Sequence, residues 1–176
     1  MHRLTALLLL AAVAIFAGPV VAHDESAGMG FHTAQQQDFE RASDKLIQLA
    51  EATPADKYSW RPAEGIRSVS ENFMHVAQVN FALGAALGAA KAENTDNLEA
   101  ITEKAKVVAE LKRSIAYTKE AFEDVVGTDL DRELPFFNSK RSAWSILLII
   151  NGHAHEHLGQ AIAYARSNGV VPPWSQ

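Results

Sequence analysis

Ser145-Ile-Leu-Leu-Ile-Ile-Asn-Gly-His153-Ala-His-Glu-His157-Leu-Gly-Gln-Ala161 is the stretch on which the fold turns. Ile146, Ile150, His153, His157 and Ala161 recur at three- and four-residue intervals, the spacing of one helix face. At about 100° per residue, His153 and His157 lie about 40° apart on that face, while His155 points roughly 160° to 200° away from both. The helix is predicted to start near Lys140. Asn168-Gly169 stops it, with Pro172-Pro173 just beyond.

Outward from this segment, three more helices can be read. Ile101, Val108, Leu111, Ile115 and Phe122 make one side of a helix from about Leu98 to Val126, and Gly127 ends it. Ser68-Val-Ser-Glu71 is a capping box, in which a serine hydroxyl and a glutamate side chain satisfy exposed amides at a helix start. That helix continues through His75 and an alanine-rich stretch, Phe81 to Ala90, whose small residues let a neighbouring helix approach closely. Phe39, Ala42, Leu46, Leu49 and Ala50 mark a first helix within Phe31 to Ala52, ended by Pro54. Thr128 to Ser139, with Pro135 and two phenylalanines, reads as a crossover loop packed on the bundle rather than a strand. The expected fold is all-α, an up-down four-helix bundle over residues 31–176.

Before this domain stands a segment with the layout of a secretory signal: Arg3, an uncharged apolar run from Leu4 to Ala17, and small residues at Val20-Val21-Ala22. The run is shorter than the roughly 20 residues that span a bilayer. Cleavage after Ala22 would leave residues 23–30 as a flexible tail and send a soluble chain to the periplasm or outside the cell; left uncleaved, the segment would be an anchor. There are no cysteines, which excludes disulfides, thiolate ligands and a cysteine nucleophile. The net charge of −5 argues against nucleic acid, whose phosphates demand a basic surface.

The chemistry, if any, lies in the histidines. A pair at i and i+4 aims two imidazoles at one point, the arrangement used on helices to hold zinc and similar ions. The alternative is a pair of exposed or core-edge histidines with no ligand. If buried, each would need a partner, since an unpaired polar group inside costs about 1–3 kcal/mol; a shared metal satisfies both. His75 is the natural third ligand, being the other histidine interior to a predicted helix. Glu156 does not complete a zinc-protease motif, because no histidine stands at the fifth place of His155-Glu156-His157-Leu158-Gly159; it reads as a solvated carboxylate. Gln160 is the better candidate to line the site. His32 is expected to be exposed. An N-terminal His23 able to bind copper carries less weight, and core packing is the simpler account of Trp60, Phe136, Phe137 and Trp144.

Ser68-Val-Ser-Glu-Asn-Phe-Met-His75, preceded by Trp60-Arg-Pro, resembles the start of helix two in the DinB-like superfamily of four-helix bundles. His153-Ala-His-Glu-His157-Leu-Gly159-Gln160, with the Gly169 to Pro173 exit, is similar to that family's last helix. The resemblance implies a divalent metal on His75, His153 and His157, with zinc, nickel or iron as the ion. It also implies metal-dependent transfer or isomerisation with small thiols in some relatives. An exported chain would not meet a cytosolic thiol pool, so hydrolysis or another transfer on a small molecule is the expected activity. The alternative is a periplasmic bundle that holds a metal or small ligand without catalysis. The partners to expect are a metal ion, a small-molecule substrate and a second copy of the chain as a homodimer.

Overall fold

A computed structural model of the chain describes residues 25–175, with side chains from Gly30 onward. The signal segment 1–22, its cleavage point and His23 lie outside the described residues. Four helices make up most of the structure: α1 (Glu25–Ala52), α2 (Val69–Leu87), α3 (Lys104–Glu123) and α4 (Ala143–Ser167). Helix α1 thus begins inside the stretch expected as a tail. Among the described residues, no helix is long and apolar enough to cross a membrane.

The boundaries follow from local chemistry. The capping box forms as read: Ser68 Oγ accepts from the Glu71 amide at 3.3 Å, and Glu71 Oε2 accepts from the Ser68 amide at 2.7 Å. The preceding loop clasps the same turn, with the amides of Val69 and Ser70 donating to the carbonyls of Trp60 and Tyr58. At the other end of α4, Gly169 takes φ +74°, and the amide of Val170 reaches back to the Ala165 carbonyl, closing the helix as a Schellman-type turn.

Simple up-down alternation is not what the contacts give. The start of α3 meets the end of α1 through Lys104 on the carbonyls of Glu51 and Thr53, and the end of α3 meets the start of α1 through His32 and Phe122. These two helices are therefore antiparallel. Helix α4 runs parallel to α1, with Asn151 on Gln35 and His155 on Asp38. It runs antiparallel to α2, with Asn72 on His157 and His75 beside His153. The directions are up, down, down, up, and each of α1 and α2 packs between α3 and α4. The 88–103 connection explains the difference. It is long enough to run back the ~30 Å of a helix this size, and it carries a 3₁₀ turn, Leu98–Ala100, that packs along α2.

A second departure lies between α3 and α4. Residues read as a crossover loop form a hairpin, β1 (Glu133–Phe136) against β2 (Ser139–Ser142), antiparallel, with Phe136 opposite Ser139. Its two-residue turn has no Asn-Gly or Asp-Gly; Phe137 takes φ +49° instead, so the usual hairpin signal is missing. Pro135 can donate no ladder hydrogen bond, and sits in a two-stranded ribbon, which consists of edges.

The core runs between the helices: Phe39 stacked on Phe122 at 5.5 Å between ring centres, with Leu46, Leu49, Phe73, Leu111, Ile146 and Ile150, all essentially solvent-free. The alanine-rich stretch of α2 does allow close approach. A Cβ built on Gly84 would stand 2.6 Å from Cε1 of Tyr117, whose hydroxyl is tied to the Ala90 carbonyl at 2.8 Å. Gly84→Val is accordingly expected to destabilise the protein by about 1–3 kcal/mol. In urea unfolding, Tyr117→Ala in the same chain should recover part of that loss.

Candidate metal centre

Helices α2 and α4 cross antiparallel, which sets His75 on α2 opposite the His153 and His157 pair on α4. One ligand atom from each of the three lies within 4.8 Å of the others. The ring centres are 5.2 Å apart for His75 and His153, 4.8 Å for His75 and His157, and 4.4 Å for His153 and His157. Nε2 of His75 and Nε2 of His153 are 3.3 Å apart. Two nitrogens each about 2.0–2.1 Å from one ion at the tetrahedral angle stand about 3.3–3.4 Å from each other, so the spacing is that of two ligands on one ion.

The outer nitrogens say which way two of the rings are protonated. Nδ1 of His75 lies 3.0 Å from Glu99 Oε1, an acceptor, and so carries the proton. Nδ1 of His157 lies 2.8 Å from Asn72 Oδ1 and 3.0 Å from Gln160 Oε1. Asn72 Nδ2 donates to the His157 carbonyl and Gln160 Nε2 to the Tyr164 hydroxyl, which leaves both amide oxygens as acceptors. In the neutral form of either ring the bare lone pair is then on Nε2, and that of His75 stands 3.3 Å from Nε2 of His153. Nδ1 of His153 is buried without a partner in either tautomer, at a cost of about 1–3 kcal/mol. A shared cation would engage the nitrogens that the three rings bring together, while Nδ1 of His153 has no partner whether or not an ion is held through Nε2. The donor set, three neutral imidazoles with outer hydrogen bonds on two, suits a first-row divalent ion.

Burial disfavours the charged form of His153 and His157. Desolvation, then the neighbouring His157 and His75, push His153 down to about 3. His157 is lowered as well, chiefly by burial, although its contact with Gln160 works the other way. Both folded-state values lie below the ordinary histidine value of about 6.5, so on acidification the unfolded chain takes up protons first. Stability conferred above that value is lost as pH falls through the folded values. Metal-free protein should therefore melt at a lower temperature at pH 5 than at pH 7.5, and His153→Gln should flatten the difference.

Other sequence-derived candidates fall elsewhere. His155 turns away, as the helical angle requires, and lies 2.9 Å from Asp38 on the surface. Glu156 is exposed. Gln160 backs His157 rather than lining the ligand side. His32, expected at the surface, is buried, with Nε2 2.6 Å from the Phe122 carbonyl. Trp60 packs edge-on against Tyr164, but Phe137 and Trp144 are exposed, not core. Glu99 and Asn72 escaped the sequence reading. Asn72 sits three residues before His75 on the buried side of α2, a legible position, whereas nothing in the order of residues places Glu99 on the 88–103 crossover beside His75.

Residues 38–161 match the DinB superfamily. Among solved structures, the chain is similar to a DinB-like protein of Bacillus cereus, with a TM-score of 0.70 at 16% identity over 79% of this chain and 93% of that one. It is also similar to a DinB-like protein of Bacillus subtilis, with a TM-score of 0.63 at 21% identity over 81% and 98%. At those identities the likeness is one of fold. Among curated proteins, none matches.

Proposed function

This chain belongs to the DinB superfamily, and from that premise we propose that it is an exported metalloprotein holding one divalent ion on Nε2 of His75, His153 and His157, and that it acts on a small molecule by hydrolysis or group transfer. The observation that carries the reading is the meeting of one ring nitrogen from each of the three histidines within 4.8 Å, with Nε2 of His153 3.3 Å from that of His75 and with Nδ1 of His75 and of His157 held by oxygen acceptors. Export is supported by Arg3, the apolar run to Ala17 and the small residues through Ala22.

Three protein ligands leave coordination open, the pattern of catalytic rather than structural sites. A divalent ion there supplies Lewis acidity and a nucleophile from water at neutral pH. The chain's own part is orientation. Glu99 holds His75 and Asn72 with Gln160 holds His157, so two rings are set before any ion arrives. Low basicity at His153 and His157 keeps protons from competing for those nitrogens.

The test is metal analysis of protein purified from the exported fraction, followed by assay of small ester, amide and group-transfer substrates with loaded and metal-stripped protein. One ion per chain with activity that disappears on stripping supports the reading. One ion per chain with no metal-dependent turnover leaves a binding module, and no ion refutes the site.

A further inference from the structure

The hydrogen bonds behind His157 run one residue past Gln160. His157, Gln160 and Tyr164 stand at i, i+3 and i+7 on α4, where side chains neighbour one another along one helix face. Gln160 Oε1 is 3.0 Å from His157 Nδ1, and Gln160 Nε2 donates to the Tyr164 hydroxyl at 3.1 Å. The two ends of one amide thus join a ligand ring to a tyrosine further along the helix.

Tyr164 is the fixed end of this relay. It is 7% exposed, and Trp60 meets it edge-on with ring centres 5.4 Å apart. Trp60 is itself fastened to α2: its carbonyl accepts from the Val69 amide at 3.0 Å, and the nearby Tyr58 carbonyl accepts from the Ser70 amide at 2.9 Å. That helix carries Asn72 and His75. Gln160 is the movable part. It is half-buried, and the rotational freedom of its long side chain must be given up to hold its oxygen on His157. A hydrogen bond from the other end of the amide to a buried, seated hydroxyl holds it there. Packing on Trp60 needs only the tyrosine ring; the hydroxyl is used by Gln160.

We propose that Tyr164 is a positioning residue of the metal centre: its hydroxyl pins the Gln160 amide against His157 Nδ1, and Trp60 pins Tyr164, so the loop that enters α2 helps set a ligand on α4. The inference rests on the metal reading above and adds a residue through which that site is held. Asn72 Oδ1, at 2.8 Å from the same Nδ1, is the parallel support.

The experiment is the zinc affinity of the full chain at pH 7.5, measured against a competing chelator, for Tyr164→Phe in three backgrounds. In the native background the loss should be about twofold to threefold, since Asn72 still accepts from Nδ1 and direct outer partners are themselves worth about 10- to 100-fold. In Asn72→Leu, where Gln160 is the remaining acceptor, the same substitution should weaken zinc binding by about tenfold. In Gln160→Leu it should change nothing. A merely structural Tyr164 gives the same factor in all three backgrounds, and that result overturns the proposal. Should Asn72→Leu fail to fold, the native and Gln160→Leu backgrounds give the contrast on a smaller scale. Nitrogen-15 NMR of the metal-free chains reads the ring directly. Adding Tyr164→Phe to Asn72→Leu should move the His157 proton from Nδ1 toward Nε2, and an unchanged tautomer ratio overturns the relay while leaving the metal site standing. A native chain that takes up no zinc refutes the metal reading, and the tautomer ratio then decides the relay by itself.

Discussion

Replacing His153 or His157 with alanine is expected to abolish one-to-one zinc binding, read by calorimetric titration, whereas His155→Ala should bind nearly as the native chain does. Removing one of three protein ligands leaves two imidazoles, and structural coupling between them is lost together with a metal–nitrogen bond; a fall in affinity of about a thousandfold, roughly 4 kcal/mol, is the expected scale. His155 shares the local sequence but not the geometry, since its ring is engaged with Asp38 on the α1 side at 2.9 Å. Equal loss from all three substitutions would place the ion in a surface cluster on α4. His75→Ala separates the possibilities further, because His75 comes from a different helix and belongs only to an interior site.

The second large effect is expected behind the ligands. Asn72 is buried, accepts from His157 Nδ1 and donates to the His157 carbonyl, at 2.8 and 3.4 Å. Asn72→Leu fills similar space but removes the acceptor that fixes the ring. Gln160 remains as a second acceptor at 3.0 Å, so the tautomer is weakened rather than lost. Loss of such outer partners typically lowers metal affinity by about 10- to 100-fold, and Asn72→Leu should fall in that range. Asn72→Leu combined with Gln160→Leu should lose more than either alone, because Nδ1 would then be a buried donor with no acceptor, at about 1–3 kcal/mol. In chelator, the double variant should also unfold at lower urea concentration.

Much of this site could be read from residue order because it depends on helical periodicity. The i, i+4 relation of His153 and His157 and the opposite facing of His155 are properties of one helix and need no partner. The capping box at Ser68 sets where α2 starts, and hence which turn carries His75. What residue order does not carry is the path of the chain between helices. Residues 88–103 return along α2 instead of turning tightly at its end, so α2 and α3 run the same way. That return brings Glu99 and its 3₁₀ turn to His75. The β1–β2 hairpin was hidden for a related reason: its turn uses Phe137 with positive φ where glycine or asparagine would have announced it. His32 was misread because exposure near a helix start is only a tendency; here the α3 terminus supplies a carbonyl, Phe122, for it to meet.

The most direct test of the metal centre is a crystal structure of protein grown with one equivalent of zinc, with diffraction recorded on both sides of the zinc absorption edge. Expected is a single anomalous peak per chain about 2 Å from Nε2 of each of His75, His153 and His157, with Glu99 and Asn72 still on the outer nitrogens. A peak at His155 and Asp38, or rings of the three histidines turned apart with no peak between them, would contradict it.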